Sequence, residues 1–134
     1  MERTIMQIAR SPGVYVLVRG KSVLYVGCAG SLRKRLRNKR HLVYQKGQNG
    51  DVFRIWKFPE EAYEGLIELL ESYLIKQLKP QFNKNLPFRN IEQLPLALVE
   101  ALPRVETLKF EEVYEGLKSS RRGRQPRTDV FAQF

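Results

Sequence analysis

Residues 13–41 read GVYVLVRGKSVLYVGCAGSLRKRLRNKRH, and this stretch decides the fold expected for the first half of the chain. Valines recur at every second position of residues 14–18, with larger apolar side chains between them, which is the period of a β-strand. The composition of residues 19–22 is typical of a turn, and residues 23–26 repeat the β-prone composition. The two segments together predict an antiparallel hairpin.

The stretch changes character after the second predicted strand. Two glycines interrupt the apolar pattern over residues 27–30, and Ser31 is suited to the N-cap of a helix. A helix is therefore predicted over residues 32–40, with Leu32 and Leu36 one turn apart as a narrow apolar stripe. This predicted helix carries six basic residues and no acidic one.

The remaining sequence predicts an α+β protein. Residues 52–58 have the composition of a third strand, and apolar residues recur at helical spacing over residues 60–79 until Pro80 ends that helix. We therefore expect residues 1–88 to form a domain with a small three-stranded antiparallel sheet flanked by helices. Residues 89–134 are expected to form a helical C-terminal extension with a basic, mobile tail. Its two short helices are predicted at residues 91–102 and 110–117.

Positive charge is confined to one part of the chain. Residues 1–50 hold eleven Lys and Arg against a single Glu, which accounts for the whole formal charge of +10, whereas residues 51–134 are balanced. A field this one-sided indicates a polyanionic partner, and nucleic acid is the expected one. An incidental solvated basic face is the alternative. Contacts to the DNA backbone, which weaken as salt rises, are expected from Arg33, Arg37, Lys39 and Arg40.

The composition also excludes several classes of site. Cys28 is the one cysteine, so an intrachain disulfide and a metal site built from several thiolates are excluded. No apolar run approaches the roughly 20 residues of a membrane span, and the first residues lack the apolar centre of a signal peptide. We therefore expect a cytoplasmic protein, nucleoid-associated if prokaryotic, without a membrane partner. The oligomeric state stays open.

Glu71 is the most informative acidic residue. In the helix predicted over residues 60–79 its neighbours four positions away are Ile67 and Ile75, so its carboxylate is expected among apolar side chains. Such a carboxylate costs desolvation energy unless a cation or donor meets it. One interpretation is a glutamate at the margin of the apolar stripe whose carboxylate reaches water. The other is a ligand for Mg²⁺, which often takes only one or two carboxylates.

Four more side chains are candidates for chemistry. Tyr15 and Tyr25 lie on the two paired strands, where they are either ordinary sheet aromatics or phenols that orient or deprotonate a water. Arg35 lies at the border of the apolar stripe of its helix, where a guanidinium can hold a phosphate through two hydrogen bonds. His41 is a solvated residue, a phosphate contact or a proton acceptor.

Taken in order, these residues resemble a known family. Gly13-Val-Tyr15 followed by Tyr25-Val-Gly27 resembles the paired signature of the GIY-YIG endonucleases, and Arg35 stands ten residues after the second tyrosine, as that family has it. The segment from Glu71 to Asn83 matches the family's acidic helix. The resemblance covers roughly residues 10–85 and is strongest to nuclease domains of excision-repair proteins.

The resemblance implies hydrolysis of phosphodiester bonds in DNA, with a single Mg²⁺ or Mn²⁺ as cofactor. It implies that Glu71 holds the metal, that Arg35 steadies the scissile phosphate, and that Tyr25 with Tyr15 positions or deprotonates the attacking water. It also implies that Asn83 returns the chain toward the site. Branched, nicked or otherwise structured DNA is among the substrates that the family pattern suggests.

The sequence departs from the family pattern at two positions. Cys28 stands where the similar members usually have lysine, and Lys39 stands where many members have His or Tyr. If the helix continued through residue 41, His41 would point about 200° away from residue 39 and could not take over that position. A nucleic-acid-binding module that kept the fold but lost turnover is therefore the alternative to an enzyme.

Overall fold

A computed structural model describes residues 8, 10–38, 40–60, 64–83 and 93–123 of the chain. Within these ranges the chain forms four strands, five helices and a 3₁₀ turn. The strands are β1 Gly13–Arg19, β2 Ser22–Ala29, β3 Val52–Lys57 and β4 Glu106–Lys109. The helices are α1 Leu32–Leu36, α2 Leu42–Lys46, α3 Glu64–Leu78, α4 Leu96–Ala101 and α5 Phe110–Gly123, with a 3₁₀ turn at Leu102–Arg104. In the described residues no helix is both long and apolar enough to span a bilayer.

The predicted antiparallel sheet flanked by helices is confirmed, but it has four strands and not three. The strand order is β2-β1-β3-β4, and every neighbouring pair is antiparallel. The fourth strand comes from the extension that was predicted to be helical, and it pairs Glu106 with Ile55 and Lys109 with Val52. Four residues, of which only Leu108 is apolar, give too short a pattern to identify a strand, so its pairing depends on the open edge of β3.

Buried side chains form one layer on each face of this sheet. The valines of β1 and Trp56 face α3, where Ile67 and Leu70 are buried against them. Tyr15 and Leu17, which alternate with those valines, face α1, α2 and α5. Phe110, Val113 and Leu117 of α5 belong to this second layer. The described part of the C-terminal extension therefore shares the sheet and the core of the first half.

The basic helix is shorter than the sequence predicted. It ends at Leu36 instead of residue 40, and a second short helix, α2, begins at Leu42. Asn38 explains the break, because its side-chain Oδ1 accepts the backbone N–H of Arg40 at 3.0 Å and turns the chain there. His41 is consequently the N-cap of α2 and not part of a continuing basic helix.

The other helix boundaries also differ from the predicted ones. The long helix predicted over residues 60–79 is described over Glu64–Leu78, and residues 61–63 lie outside the described residues. Helix α4 and the 3₁₀ turn occupy residues 96–104, whereas the prediction there was a helix over residues 91–102, whose first two residues are outside the described part. Helix α5 continues to Gly123, beyond residue 117, and the rest of the predicted mobile tail lies outside the described residues.

A β-bulge in the hairpin determines which way Tyr25 points. Arg19 pairs with Ser22 and Val18 with Val23, but Leu17 then pairs with Tyr25, so Leu24 is an extra residue on β2. Paired residues share a face of the sheet, and Tyr25 therefore lies on the face of Leu17 and Tyr15. Without the extra residue Tyr25 would pair with Val16 and point to the opposite face.

The outer edge of β2 is covered by the segment after α3. The backbone N–H of Gln81 donates to the carbonyl of Val23 at 3.0 Å, and that of Phe82 donates to the carbonyl of Leu24 at 2.8 Å. Lys79, which follows the last residue of α3, has φ 49° in the left-handed region, so the chain leaves the helix direction there. This segment therefore fixes the bulged part of β2 from outside.

Candidate active site

Three aromatic rings meet on the α1–α2 face of the sheet and form what we call the tyrosine–histidine cluster: Tyr15, Tyr25 and His41. The Tyr15 hydroxyl and the His41 Nε2 are 2.5 Å apart. The centroids of the two tyrosine rings are 6.1 Å apart, and that of His41 lies 5.5 Å from Tyr15 and 5.6 Å from Tyr25. The bulge, the end of α1 and the N-cap of α2 are all needed to bring these rings together.

Two glycines make room for this arrangement. Gly27 pairs with Tyr15 in the hairpin, and a Cβ at Gly27 would lie 2.6 Å from the Tyr15 hydroxyl oxygen. A Cβ at Gly13 would lie 2.2 Å from the carbonyl oxygen of Trp56 on β3. Both distances are far below van der Waals contact. The glycines of the GVY and YVG triplets are therefore required by close packing.

The hydrogen bonds of His41 determine which groups of the cluster donate and which accept. The backbone N–H of Val43 donates to the His41 Nδ1 at 3.2 Å, so Nδ1 is an acceptor. A neutral imidazole then carries its proton on Nε2, which must donate to the Tyr15 oxygen. Burial, followed by the positive charge of Arg35, lowers the pKa of His41 to about 4, so the ring is neutral at pH 7. The Tyr15 proton is then free for the hydroxyl of Tyr25, and Arg35 is a further hydrogen-bond partner of Tyr15.

Both tyrosines are held in the protonated state unless a cation offsets their burial. Burial is the main cause that raises the pKa of Tyr15 well above its usual 10, followed by the neighbouring Tyr25. Burial also raises the pKa of Tyr25, followed by the negative charge of Glu71. The charge of Arg35 acts in the opposite direction on both phenols. The positive charge of Arg35 thus favours an ionised tyrosine.

Arg35 lies at the end of β2, where its charge acts on groups on both faces of the sheet. Leu32 and Leu36 are fully buried and anchor α1, which leaves the Arg35 side chain exposed at the end of β2. Its Nη1 donates to the carbonyl oxygen of Cys28 at 3.1 Å. Its charge acts on the cluster on one side and on Glu71 on the other.

Glu71 reaches the same end of β2 from α3. Its carboxylate is half-buried, and burial is the main cause that raises its pKa. The Cys28 thiol is its hydrogen-bond partner, and burial, followed by the charge of Glu71, raises the pKa of that thiol to about 12. Cys28 is therefore a neutral donor to the carboxylate.

The donor set around Glu71 fits one hard divalent cation. In the described ranges no group of three or more His, Cys, Asp or Glu side chains could hold a metal ion by themselves. Mg²⁺ needs no such group, because one or two carboxylates with water and substrate oxygens complete its coordination. Burial, and after it the charge of Glu68, raise the pKa of Glu71, and a cation bound beside the carboxylate would favour its ionised form.

A cleft of about 480 Å³ opens beside Arg35 and Cys28. Three charged residues that sequence analysis did not select line it as well: Arg10, Glu60 and Glu68. Glu68 lies one turn before Glu71 on α3, and this spacing of three residues was the signal in the sequence that could have identified it. Nothing in the sequence pattern indicated Arg10, because it precedes the first strand.

The other residues that the sequence predicted for the site lie in different surroundings. Arg37 and Arg40 are exposed, whereas Arg33 is half-buried and its Nε donates to the carbonyl oxygen of Ile8 at 2.8 Å. Lys39 lies outside the described residues. The Asn83 amide is bound to the backbone of β2, because its Oδ1 accepts the N–H of Val26 and its Nδ2 donates to the carbonyl of Val26, both at 2.9 Å. This amide holds β2 in place next to Tyr25.

The fold and the site have counterparts among known proteins. No protein-family model matches the chain. The UvrABC system protein C of Thermus thermophilus is 32% identical over 105 residues, which cover 74% of this chain and 18% of that protein. The chain therefore spans less than a fifth of the length of this curated relative.

Solved structures show the same similarity. The GIY-YIG N-terminal endonuclease domain of UvrC from Thermotoga maritima, in a point mutant bound to its catalytic divalent cation, superposes with a TM-score of 0.52 and 26% identity. The match covers 62% of this chain and 93% of that domain. In another structure of the domain, with a TM-score of 0.50, 25% identity and coverage of 60% and 92%, the catalytic cation is magnesium.

The chain therefore has the GIY-YIG nuclease fold, and the resemblance that its tyrosine, arginine and glutamate motifs indicated is confirmed. Within that superfamily it is similar to the N-terminal nuclease domain of UvrC.

Proposed function

We propose that this chain is an endonuclease that hydrolyses phosphodiester bonds in DNA and depends on a divalent metal ion. The observation that carries the proposal is the meeting of Arg35, Glu71 and the tyrosine–histidine cluster at one end of β2. Three separate parts of the sequence, between residues 15 and 71, supply these groups. A surface that only bound DNA would not need a half-buried glutamate there. The magnesium-bound state of a similar UvrC domain supports the choice of metal.

Glu71 is the residue that would hold the metal, with Mg²⁺ or Mn²⁺ as the expected ion. When bound, the ion would supply positive charge that stabilises the negative charge developing on the phosphate oxygens. Cys28 would keep the carboxylate oriented through its thiol proton. The family pattern has lysine at this position, so this chain has one positive charge fewer beside the phosphate than the similar members.

Arg35 would bind the scissile phosphate. Its Nη1 donates to the carbonyl oxygen of Cys28 and the guanidinium is also a hydrogen-bond partner of Tyr15, but a guanidinium has five N–H groups. The exposed side chain lines the cleft, where its remaining donors can meet two phosphate oxygens. The same charge that binds the phosphate also lowers the pKa of Tyr25, so substrate binding and activation of the phenol share one residue.

Tyr25 would orient the attacking water. Once its own proton has been lost to solvent under the influence of Arg35 and a bound cation, its phenolate would accept the water proton, with Tyr15 as hydrogen-bond donor to its oxygen. The direction of the hydrogen bonds supports these roles, because His41 donates to Tyr15 and leaves the Tyr15 proton for Tyr25. A donated hydrogen bond stabilises the ionised form of the acceptor phenol. His41 is therefore a positioning residue and not the proton acceptor, since its Nε2 already carries a proton and its Nδ1 caps α2.

Cleavage of supercoiled plasmid and of branched DNA with Mg²⁺ or Mn²⁺ tests the proposal. We expect Glu71→Gln and Arg35→Ala to lower the rate by at least about 100-fold, which is typical when a group that stabilises transition-state charge is removed. Lys34→Ala is the matched control, because Lys34 is exposed beside Arg35 on α1 and does not line the cleft.

Equal rates for wild type, Glu71→Gln and Arg35→Ala would show that the assigned site is wrong. Salt-sensitive DNA binding by wild type without any cutting, under both metals, would leave a DNA-binding module in place of an enzyme.

A further inference from the structure

A second depression lies between α2 and the segment that covers the edge of β2. Its volume is about 360 Å³, and we call it the α2 cup. Three of its residues come from α2 and three from the covering segment: Leu42, Gln45, Lys46, Gln81, Phe82 and Asn83. It is distinct from the cleft beside Arg35, with which it shares no lining residue.

The α2 cup adjoins the tyrosine–histidine cluster on two sides. Leu42 directly follows His41 at the start of α2. Asn83 holds the backbone of Val26, the residue after Tyr25, through two hydrogen bonds of 2.9 Å. A DNA strand whose phosphate lies at Arg35 would therefore have a neighbouring nucleotide within reach of this cup.

Phe82 supplies an aromatic face to the cup. Its backbone N–H is bound to the carbonyl of Leu24, so the residue is fixed to the edge of β2, and its ring is only partly buried. The Lys46 ammonium nitrogen lies 5.0 Å from the ring centroid. A flexible, exposed lysine can reach this ring only if the ring face is open to solvent, so a flat ligand can stack there beside or in place of the ammonium group.

The polar groups of the cup suit a base and its phosphate. Gln45 and Gln81 are both exposed, and each amide offers a donor and an acceptor, which is what the edge of a nucleobase requires. Lys46 supplies a positive charge for the adjoining phosphate, and no Asp or Glu is among the residues that line the cup. A volume near the lower end of ligand pockets admits a single base but not a duplex.

We propose that the α2 cup binds one unpaired nucleobase of the DNA substrate, stacked on Phe82 and held at its edge by Gln45 and Gln81. The proposal rests on the proposed function for its substrate class. It specifies that function further, because taking a base out of a perfect duplex costs a few kcal/mol whereas a base in a bulge or flap is already available. DNA with an unpaired base beside the bond to be cut would be bound in preference to matched duplex.

The test measures binding without cleavage. Two DNA duplexes carry 2-aminopurine at the same position, paired in one and unpaired in a single-nucleotide bulge in the other, and both are titrated with the full chain in EDTA. Wild type is expected to bind the bulged duplex more tightly and to quench its fluorescence. Phe82→Leu, which keeps apolar volume but removes the aromatic face, is expected to weaken that binding by roughly 5- to 100-fold and to abolish the quenching.

Two exposed substitutions guard against a folding defect in Phe82→Leu. The double variant Gln45→Ala with Gln81→Ala is expected to lose several-fold in affinity for the bulged duplex, while Gln48→Ala, an exposed glutamine outside the cup, keeps wild-type affinity. Affinity for the matched duplex is expected to be the same in all four proteins.

The proposal is overturned if wild type binds the two duplexes equally. It is also overturned if the Gln45/Gln81 double variant keeps full preference for the bulge, whatever Phe82→Leu does. Cleavage of the same duplexes with Mg²⁺ is measured in parallel, so a wild type that never cuts but prefers the bulge refutes the nuclease and not the cup.

Discussion

Replacing Gly27 with alanine tests the geometry on which the tyrosine–histidine cluster depends. The new methyl group would lie 2.6 Å from the Tyr15 hydroxyl oxygen, 2.7 Å from its Cζ and 2.9 Å from Cε2 of Tyr25. Tyr15 has no exposed surface, so its ring cannot move into solvent to relieve the overlap. Overpacking of a filled site usually costs about 1–3 kcal/mol, and the three short contacts place this substitution in that range.

Urea denaturation is the appropriate assay. A loss of about 1–3 kcal/mol corresponds to a midpoint lower by roughly 1 M, with the slopes usual for small proteins. Gly30→Ala is the matched control, because a Cβ at Gly30 meets no atom within 4 Å and the backbone there is not in the left-handed region. We expect that control to stay within about 0.5 kcal/mol of wild type.

A double-mutant cycle locates the overlap. Tyr15→Phe removes the oxygen at 2.6 Å but leaves the ring carbon at 2.7 Å, so the penalty of Gly27→Ala is expected to shrink in that background without vanishing. If Gly27→Ala proves as stable as Gly30→Ala, the close approach of Tyr15 to Gly27 is wrong, and the placement of the whole cluster with it.

Three further predictions concern groups around the site. His41→Asn keeps a side-chain acceptor for the Val43 N–H. Because burial lowers the pKa of His41 to about 4 from its usual 6.5, wild type loses stability as the pH falls from about 6.5 to 4. Thermal melts of the variant over this pH range should show a smaller loss of stability. Asp51→Asn weakens the hydrogen bonds that the buried carboxylate accepts from Arg19, at a cost of about 1–3 kcal/mol in urea unfolding, and unchanged stability would contradict it. Asn83→Ala removes both hydrogen bonds to Val26, so exchange of the Val26 amide proton should accelerate, whereas an unchanged rate would mean that β2 does not need this amide.

Much of the fold could be predicted from local pattern. Alternating valines identify β1, and the helical spacing of Ile67, Leu70 and Leu74 identifies α3, because the periods of strand and helix are properties of neighbouring residues. Glu71 was selectable for the same reason, since its position relative to the apolar stripe follows from helix geometry. The order of tyrosine, arginine and glutamate motifs was enough to indicate the family.

Other features depend on contacts between distant segments. Strand β4 is too short to show a period and exists because β3 has an open edge. The helix break at Asn38 depends on a side-chain hydrogen bond that competes with the helix, and without it His41 could not reach Tyr15. The part of Asn83 in holding Val26 likewise requires the covering segment to be in place.

The residue types of the site were thus determined by the sequence alone, and their convergence by the tertiary structure. The clearest case is Tyr25, which regular alternation from the turn would pair with Val16 and point away from Tyr15. A single extra residue, Leu24, shifts the register and turns Tyr25 to the side of Tyr15. Because a one-residue shift reverses every following side chain and is set by the edge contacts of residues 81–83, no local pattern in the hairpin could have shown it.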